Sequence, residues 1–211
     1  MFKVTALKLA PKKAGQVNVY LDGDYAFTVE TVVVNKLGLR VGQELSERQI
    51  EEVKEINLVE KGVKAAFQYL NYRPRSEKEV RQRLSKRGFS DVIEKVIERL
   101  KEQGLVDDVA FAQFWRDNRM SFRPRSKRLL RQELIQKGVA EEVVTELIGN
   151  IDDGISAITA GRRKARLLAN IDYPEFRRRL TNYLKLRGFG YDTINSAITY
   201  LWQEIQSEKS V

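Results

Sequence analysis

Apolar residues recur at helical spacing along most of the chain beyond residue 60. Residues three or four positions apart lie on one face of a helix, so each apolar series predicts an amphipathic helix with one buried side. The helices come in groups of three, with a lead-in helix, a basic middle helix and a closing helix. The apolar series of the closing helices are Val92, Ile93, Val96, Ile97, Leu100; Val143, Val144, Leu147, Ile148, Ile151; and Ile194, Ala197, Ile198, Leu201.

The basic middle helix is repeated along the chain. The stretch from Arg73 to Phe89 returns fifty residues later as the stretch from Arg123 to Val139. Self-similarity at a fixed spacing is typical of repeat architectures, so the sequence predicts several copies of one helical unit. A third copy is reduced to Pro174, Leu180, Leu184, Arg187, Gly188 and Phe189.

Local signals predict where each middle helix begins and ends. Pro74 disfavours a helical conformation at Arg73 and so ends the lead-in helix. Ser76 and Glu79 have the spacing of a capping box, which opens the middle helix. Gly88 predicts a left-handed C-terminal cap in which Leu84 contacts Phe89, as in a Schellman motif. The corresponding apolar pairs are Leu134 with Val139 and Leu184 with Phe189.

The N-terminal region has a different pattern. Val17–Leu21 and Tyr25–Val29 alternate like strands around an Asp-Gly turn, which predicts a hairpin that forms a small sheet with Lys3–Leu9. Glu30–Leu37 predicts a short helix closed by Gly38. A second capping box, Ser46 with Gln49, predicts a helix that runs to about Ile56.

These patterns predict a mainly α fold with three tandem three-helix repeats arranged in an elongated crescent and a small N-terminal β-hairpin extension. The expected domains are a leader at 1–58 and repeats at 59–103, 104–153 and 154–205. We expect a monomer, because the repeats supply their own neighbours. We also expect the tail after Trp202 to be frayed.

Composition narrows the chemistry. The 211 residues contain no Cys and no His. Disulfides, thiolate and imidazole metal sites and the commonest neutral-pH proton shuttles are therefore excluded. Residues 1–9 alternate instead of forming the apolar core of a signal peptide, and no apolar run is long enough to span a bilayer. We expect a cytoplasmic protein with no membrane partner and no cofactor.

The formal charge of +9 is concentrated in the repeats. Residues 73–87 carry seven Lys or Arg against two acids, 116–137 eight against two, and 161–187 nine against two. A single run of this kind is usually a solvated helix face. Three matching runs favour a continuous positive surface for a polyanion or an acidic protein groove. The predicted contact residues are Arg73, Arg75, Arg81, Arg83, Lys86, Arg87, Arg116, Arg119, Arg123, Arg125, Arg128, Arg131, Lys137, Arg162 and Arg163.

Two other residue types admit a functional interpretation. Phe67, Tyr69 and Tyr72 could stack on nucleobases, but their helical spacing favours core packing. Asp107 and Asp108, or the Glu52-Val53-Lys54 triplet, could hold a metal in a nuclease. We prefer a helix cap for the aspartates, because the next helix begins there. The expectation is therefore a protein that is not an enzyme and has no catalytic or metal residues.

The repeat signature resembles the RecX regulators of the RecA recombinase. The matching residues are Tyr69-Leu70, Arg73-Pro74-Arg75-Ser76, Glu79, Arg81, Leu84, Gly88-Phe89, Asp107-Asp108, Phe111-Ala112, Trp115, Arg119, Arg131, Glu133-Leu134 and Lys137-Gly138. The resemblance is strong over about 60–150 and looser over 157–205. The third copy departs from it, because Asp172-Tyr173 replaces the Arg and Ser features of the earlier copies.

The resemblance implies a protein that lies in the groove of the RecA filament on single-stranded DNA. There it would restrain filament growth, ATP hydrolysis and strand exchange, in homologous recombination, DNA repair and the SOS response. It also implies weaker direct affinity for single-stranded DNA. An alternative is a freestanding DNA-binding protein with a basic, helix-turn-helix-like surface, although no helix carries the Asn or Gln array typical of base readout.

Overall fold

A computed structural model of the chain describes residues 1–11 and 14–209 and divides into two compact units, Met1–Val106 and Asp107–Val211. The first unit begins with a four-stranded antiparallel sheet in the order β3-β2-β1-β4. Its strands are β1 (Phe2–Leu9), β2 (Gln16–Leu21), β3 (Asp24–Glu30) and β4 (Glu44–Leu45). Asp22 and Gly23 both have positive φ, at 52° and 101°, which confirms the predicted hairpin turn.

Two helices follow the sheet. The first, α1 (Thr31–Leu37), ends at the left-handed Gly38 as expected. The second, α2 (Glu47–Leu70), opens with the predicted capping box of Ser46 and Gln49 and continues for 24 residues. The prediction that this helix ends near Ile56 is therefore wrong, and the predicted domain boundary between residues 58 and 59 falls inside the helix.

The continuity of α2 has a packing reason. Its first half buries Ile50 and Val53 in the core of the sheet, while its second half buries Ala66 in the core of the first repeat. Asn57 lies between the two cores, where its side chain accepts from the backbone N–H of Glu30 at 2.9 Å. One helix thus packs against two cores with different faces. The apolar pattern changes near residue 57 because the buried face changes there, although the helix continues.

The first repeat consists of the second half of α2, α3 (Glu77–Lys86), a 3-10 turn (Ser90–Val92) and α4 (Ile93–Glu102). The second unit has two groups of three helices: α5 (Asp108–Phe122), α6 (Lys127–Gln136) and α7 (Glu141–Ile148), then α8 (Asp153–Leu167), α9 (Tyr173–Lys185) and α10 (Tyr191–Lys209). Each group has its own apolar core. The mainly α fold with tandem three-helix units and a small N-terminal sheet is therefore confirmed.

All three middle helices end in the predicted Schellman geometry. The N–H of Phe89 donates to the carbonyl of Leu84 at 3.1 Å, and Gly88 has φ 82°. The same bond joins Val139 to Leu134 at 3.2 Å and Phe189 to Leu184 at 3.4 Å, after Gly138 and Gly188 with φ of 90° and 84°. These bonds satisfy helix-terminal carbonyls that would otherwise lack donors.

The third repeat differs from the first two at its start. The N-cap of α9 is Asp172, which accepts from the N–H of Glu175 at 3.1 Å, so α9 begins about one turn earlier than α3 and α6. Phe176, fully buried, occupies the position that the capping serines hold in the other repeats. Pro174 therefore lies in the first turn of α9 instead of before the cap.

The C-terminal tail is also more ordered than the sequence suggested. Helix α10 continues to Lys209, Ile205 is buried, and Glu204 pairs with Arg162 at 3.1 Å. Within the described residues, no helix is both long enough and apolar enough to cross a membrane.

Candidate polyanion interface

The two Arg-Pro-Arg-Ser segments connect a lead-in helix to a middle helix. We call residues 72–76 the first corner and residues 122–126 the second corner. The last residue of each corner is a serine that accepts from the backbone N–H three residues later, Ser76 from Glu79 at 3.2 Å and Ser126 from Leu129 at 3.2 Å. Both serines are almost fully buried. The caps therefore anchor each corner to the start of its middle helix.

In the first corner the guanidinium groups are held by an aromatic ring and a carboxylate. The guanidinium carbon of Arg75 lies 4.1 Å from the ring centre of Tyr69, and that of Arg83 lies 5.5 Å away. Arg73 pairs with Glu79 at 3.0 Å. Tyr69 is thus a support for cations, which attract the negative face of its ring.

In the second corner a single carboxylate holds the cations. The Oε2 atom of Glu133 accepts from Arg119 Nε at 2.9 Å and from the indole N–H of Trp115 at 2.8 Å. Its Oε1 atom pairs with Arg125. Arg119 also lies over the Trp115 ring, with 4.5 Å between the guanidinium carbon and the ring centre.

The two corners use the same positions with different chemistry. A shift of fifty residues places Tyr69, Arg75 and Arg83 onto Arg119, Arg125 and Glu133. In the first corner the central group is the tyrosine of the lead-in helix; in the second it is the carboxylate of the middle helix. Both arrangements hold the second Arg of the corner in place, because a guanidinium is attracted by an aromatic face and by a carboxylate alike.

The third repeat adds a cation to the second corner. The backbone N–H of Ser126 donates to the carbonyl of Arg187 at 3.0 Å, which brings the end of α9 against the start of α6. Arg187 itself lies over Tyr183, 3.6 Å from the ring centre. Partial burial, and then the positive charges of Arg119, Arg187 and Arg123, lower the pKa of Arg125. Guanidinium groups crowded in this way create a strong local positive potential.

Several predicted contact residues are engaged within the protein. Arg81 pairs with Glu77 at 2.6 Å and with Glu94 at 2.5 Å. The hydrogen bonds to Glu94 and then Glu77 raise the pKa of Arg81 above its ordinary value. The other internally paired residues are Arg73 with Glu79, Arg116 with Asp117, Arg119 and Arg125 with Glu133, Arg131 with Glu141, and Arg162 with Glu204.

Three further residues face rings, and the remaining five are exposed cations. Arg75, Arg83 and Lys137 face Tyr69, Tyr69 and Trp115 respectively, with Lys137 Nζ 5.0 Å from its ring centre. Within 1–11 and 14–209, no carboxylate lies at ion-pair distance from the exposed cations. These five residues, the open cations, are Lys86, Arg87, Arg123, Arg128 and Arg163.

Sequence reasoning assigned one exposed ring to the core and missed another. Tyr72 is 85% exposed and Phe122 is 78% exposed, and each is the first residue of its corner. The core assignment of Tyr72 is therefore wrong, as is that of Phe67, which is 48% exposed. The fifty-residue repeat contained the signal, because an aromatic residue precedes Arg-Pro-Arg-Ser in both copies.

Among the carboxylates considered for a metal site, Asp107 has a structural role. Asp107 is the N-cap of α5 and accepts from the N–H groups of Val109 and Ala110, at 2.8 and 3.1 Å. Across the part of the chain that the structure describes, no group of three acidic side chains is placed to hold a metal ion. The predicted cap at Asp107 is confirmed.

The fold and the two corners define a tandem three-helix-repeat protein with basic connections between its helices. Three family models match the chain: the RecX N-terminal domain over 2–46, the first RecX three-helix domain over 64–100, and the second over 107–148. The chain belongs to the RecX family of regulatory proteins.

Individual relatives agree with this assignment. The Regulatory protein RecX of Bacillus licheniformis is 30% identical over 199 residues, which cover 92% of this chain and 76% of that protein. The Regulatory protein RecX of Listeria welshimeri is 26% identical over 72% of this chain, and the match spans 56% of that longer protein. A crystal structure of regulatory protein RecX has a TM-score of 0.71 at 24% identity, over 97% of this chain and all of that one, which shows a shared fold.

Proposed function

We propose that this protein is a non-enzymatic modulator of RecA recombinase that binds in the groove of the RecA filament on single-stranded DNA. By bridging neighbouring filament subunits it would restrain filament extension, ATP hydrolysis and strand exchange. The protein would act in the cytoplasm, as a monomer, without a cofactor. Membership of a family of regulatory proteins supports the regulatory role.

The observation that carries this proposal is the clustering of cationic side chains at each of the two corners. In the first corner Arg73 pairs with Glu79 while Arg75 and Arg83 face Tyr69, and in the second Arg119 and Arg125 pair with Glu133. Internal supports fix part of these cations in place, so a partner does not need to order them on binding. The open cations beside them, Arg87 in the first repeat and Arg123 and Arg128 in the second, remain available to phosphate or carboxylate groups.

The internal pairs change which residues should be tested. Replacing Arg81 and Arg131 by glutamate would place a carboxylate against Glu77, Glu94 and Glu141. Lost inhibition of RecA in that variant would not distinguish a lost contact with the partner from a disturbed fold. The triple variant R87E/R123E/R128E changes only open cations. Exposed ion pairs contribute up to about 1 kcal/mol each, so three lost contacts weaken binding by roughly ten- to a hundredfold.

The test is DNA-dependent ATP hydrolysis by RecA preassembled on single-stranded DNA and titrated with the protein. We expect the unmodified protein to lower the hydrolysis rate at substoichiometric ratios, and the triple variant to require at least about tenfold more protein. The matched control K3E/R40E/R48E makes the same change in net charge at exposed positions of the first 48 residues and should inhibit normally. Full inhibition by the triple variant, or an equal loss in the control, would refute the proposed surface.

The alternative function is that of a freestanding DNA-binding protein. The density of cations around the second corner favours some direct contact with phosphate groups. Absence of any effect on RecA, together with tight, sequence-specific binding to bare DNA that survives moderate salt, would establish this alternative.

A further inference from the structure

Two exposed aromatic rings stand at equivalent positions of the first two repeats. Tyr72 follows Asn71, the C-cap of α2, and Phe122 is the last residue of α5. They are 85% and 78% exposed, whereas the serines that end the same corners are almost completely buried. Large apolar rings gain free energy when they leave water, and it is the recurrence of an exposed ring at the same position of two repeats that points to contact with a partner.

The backbone around both rings is fixed. The N–H of Asn71 donates to the carbonyl of Phe67 at 3.0 Å, and the N–H of Arg123 donates to that of Arg119 at 2.9 Å. The proline two residues after each ring restricts the chain further. Each ring is therefore presented from a connection whose backbone is bonded to the preceding helix.

The surroundings of the rings favour a nucleic acid. Each ring is followed directly by an Arg of its corner, and Phe122 belongs to the corner where Arg119 and Arg125 pair with Glu133 and where Arg123 and Arg187 add positive charge near Arg125. An acidic protein groove would satisfy the cations, but it does not repeat a flat apolar face beside each charge. A single strand supplies both, because it alternates phosphate groups with bases whose faces are free.

We propose that Tyr72 and Phe122 are stacking sites for unpaired bases of single-stranded nucleic acid, each beside a phosphate contact made by its corner. The third repeat has Asp172-Tyr173 in place of aromatic-Arg, so it has no equivalent site. This inference deepens the proposed function, since it assigns direct contact with the single strand to two residues. It is tested on the protein without RecA, so its failure is separate from failure of the regulatory role.

The experiment measures binding of the full chain to two fluorescent oligomers of equal length by anisotropy. One is oligo(dT); the other is an abasic strand with the same phosphates and no bases. Stacking contributes a factor of roughly ten per ring, so we expect the unmodified protein to prefer oligo(dT) by at least about tenfold. The Y72A/F122A variant should bind both strands equally, because only phosphate contacts remain.

Four controls make the result decisive. The conservative variant Y72F/F122Y keeps both rings and should retain the preference, while Y25A removes a 57% exposed ring outside the corners and should change nothing. The salt dependence of binding to the abasic strand should be the same for Y72A/F122A and the unmodified protein, because it reports phosphate contacts. Circular dichroism should be unchanged, given the exposure of both rings.

Three outcomes would overturn the proposal. The first is equal affinity of the unmodified protein for the two strands. The second is a loss in Y72A/F122A that is as large for the abasic strand or for duplex DNA as for oligo(dT). The third is unchanged oligo(dT) binding in that variant together with weaker binding to poly-glutamate, which would assign the rings to an acidic protein partner.

Discussion

Replacement of Glu133 by Gln tests whether one carboxylate holds the second corner together. Glu133 accepts from Trp115 and Arg119 and pairs with Arg125, and its side chain is only 12% exposed. Glutamine keeps one acceptor oxygen but places an NH2 group where a guanidinium N–H must be accepted. The variant therefore loses a charge and at least one acceptor, while the arginines around it repel one another.

The size of the effect follows from the exposure of the partners. Hydrogen bonds to charged groups contribute about 1.5–3 kcal/mol each when they are protected from water. The side chains of Arg119 and Arg125 are 21% and 30% exposed, so water compensates part of the loss and the lower value applies to each. Two weakened charged bonds then lower the free energy of unfolding by about 3 kcal/mol, or the Tm by about 12 °C for a domain of roughly 100 residues.

Tryptophan fluorescence during urea unfolding measures this loss selectively. The chain has two tryptophans, Trp115 and Trp202, and both lie in the second unit. High salt should reduce the difference between E133Q and the unmodified protein, because screening weakens repulsion among the arginines. The control E141Q breaks the ion pair between Glu141 and Arg131, whose side chains are 54% and 48% exposed, respectively. It should lower the free energy of unfolding by less than about 1 kcal/mol. A loss in E133Q no larger than that in E141Q would refute the central role of Glu133.

Two further predictions concern individual positions. In G188A the new Cβ would lie 2.7 Å from Ser126 Oγ at a backbone with φ +84°, whereas Gly88, with φ +82°, has open space there. Thermal unfolding by circular dichroism should show G88A losing about 1–2 kcal/mol and G188A about 1–3 kcal/mol more, and equal losses would contradict this contact. Hydrogen bonds from Arg178 and Arg179 lower the pKa of Glu175 from 4.5 to about 2. Its contribution to stability is therefore present above pH 4.5 and is lost as the pH falls through about 2. A carboxyl titration by NMR should show this pKa, and R178A/R179A should return it toward 4.5; an unchanged pKa in that variant would disprove the cause.

Some structural features were predictable because they depend on residues close in sequence. Ser76 with Glu79 and Gly88 with Leu84 and Phe89 fixed the start and end of α3, since caps need only backbone groups within one turn. The third repeat was harder, because Pro174 kept its spacing while the cap moved to Asp172. Aspartate is as good a cap as serine, so spacing alone gave the wrong start.

The candidate interface was predictable as a set of basic windows but not as a set of contacts. The sequence does not show that Arg81 is held by Glu94, thirteen residues away, or that Arg87 has no such partner among the described residues. Tyr72 has the same helical spacing as a core residue. Only the end of α2 at Leu70 places it outside the helix and in water.

The sequence by itself determined the helical units, their caps and their fifty-residue period, because these rest on short-range backbone bonding and on apolar periodicity. The tertiary structure alone decided which cations are internally paired and which are open. It also brought Arg187 against Ser126, sixty-one residues away in the chain. Such outcomes depend on how separate helices pack, because an ion pair or a stacked ring is set by distance in space and not by spacing along the chain.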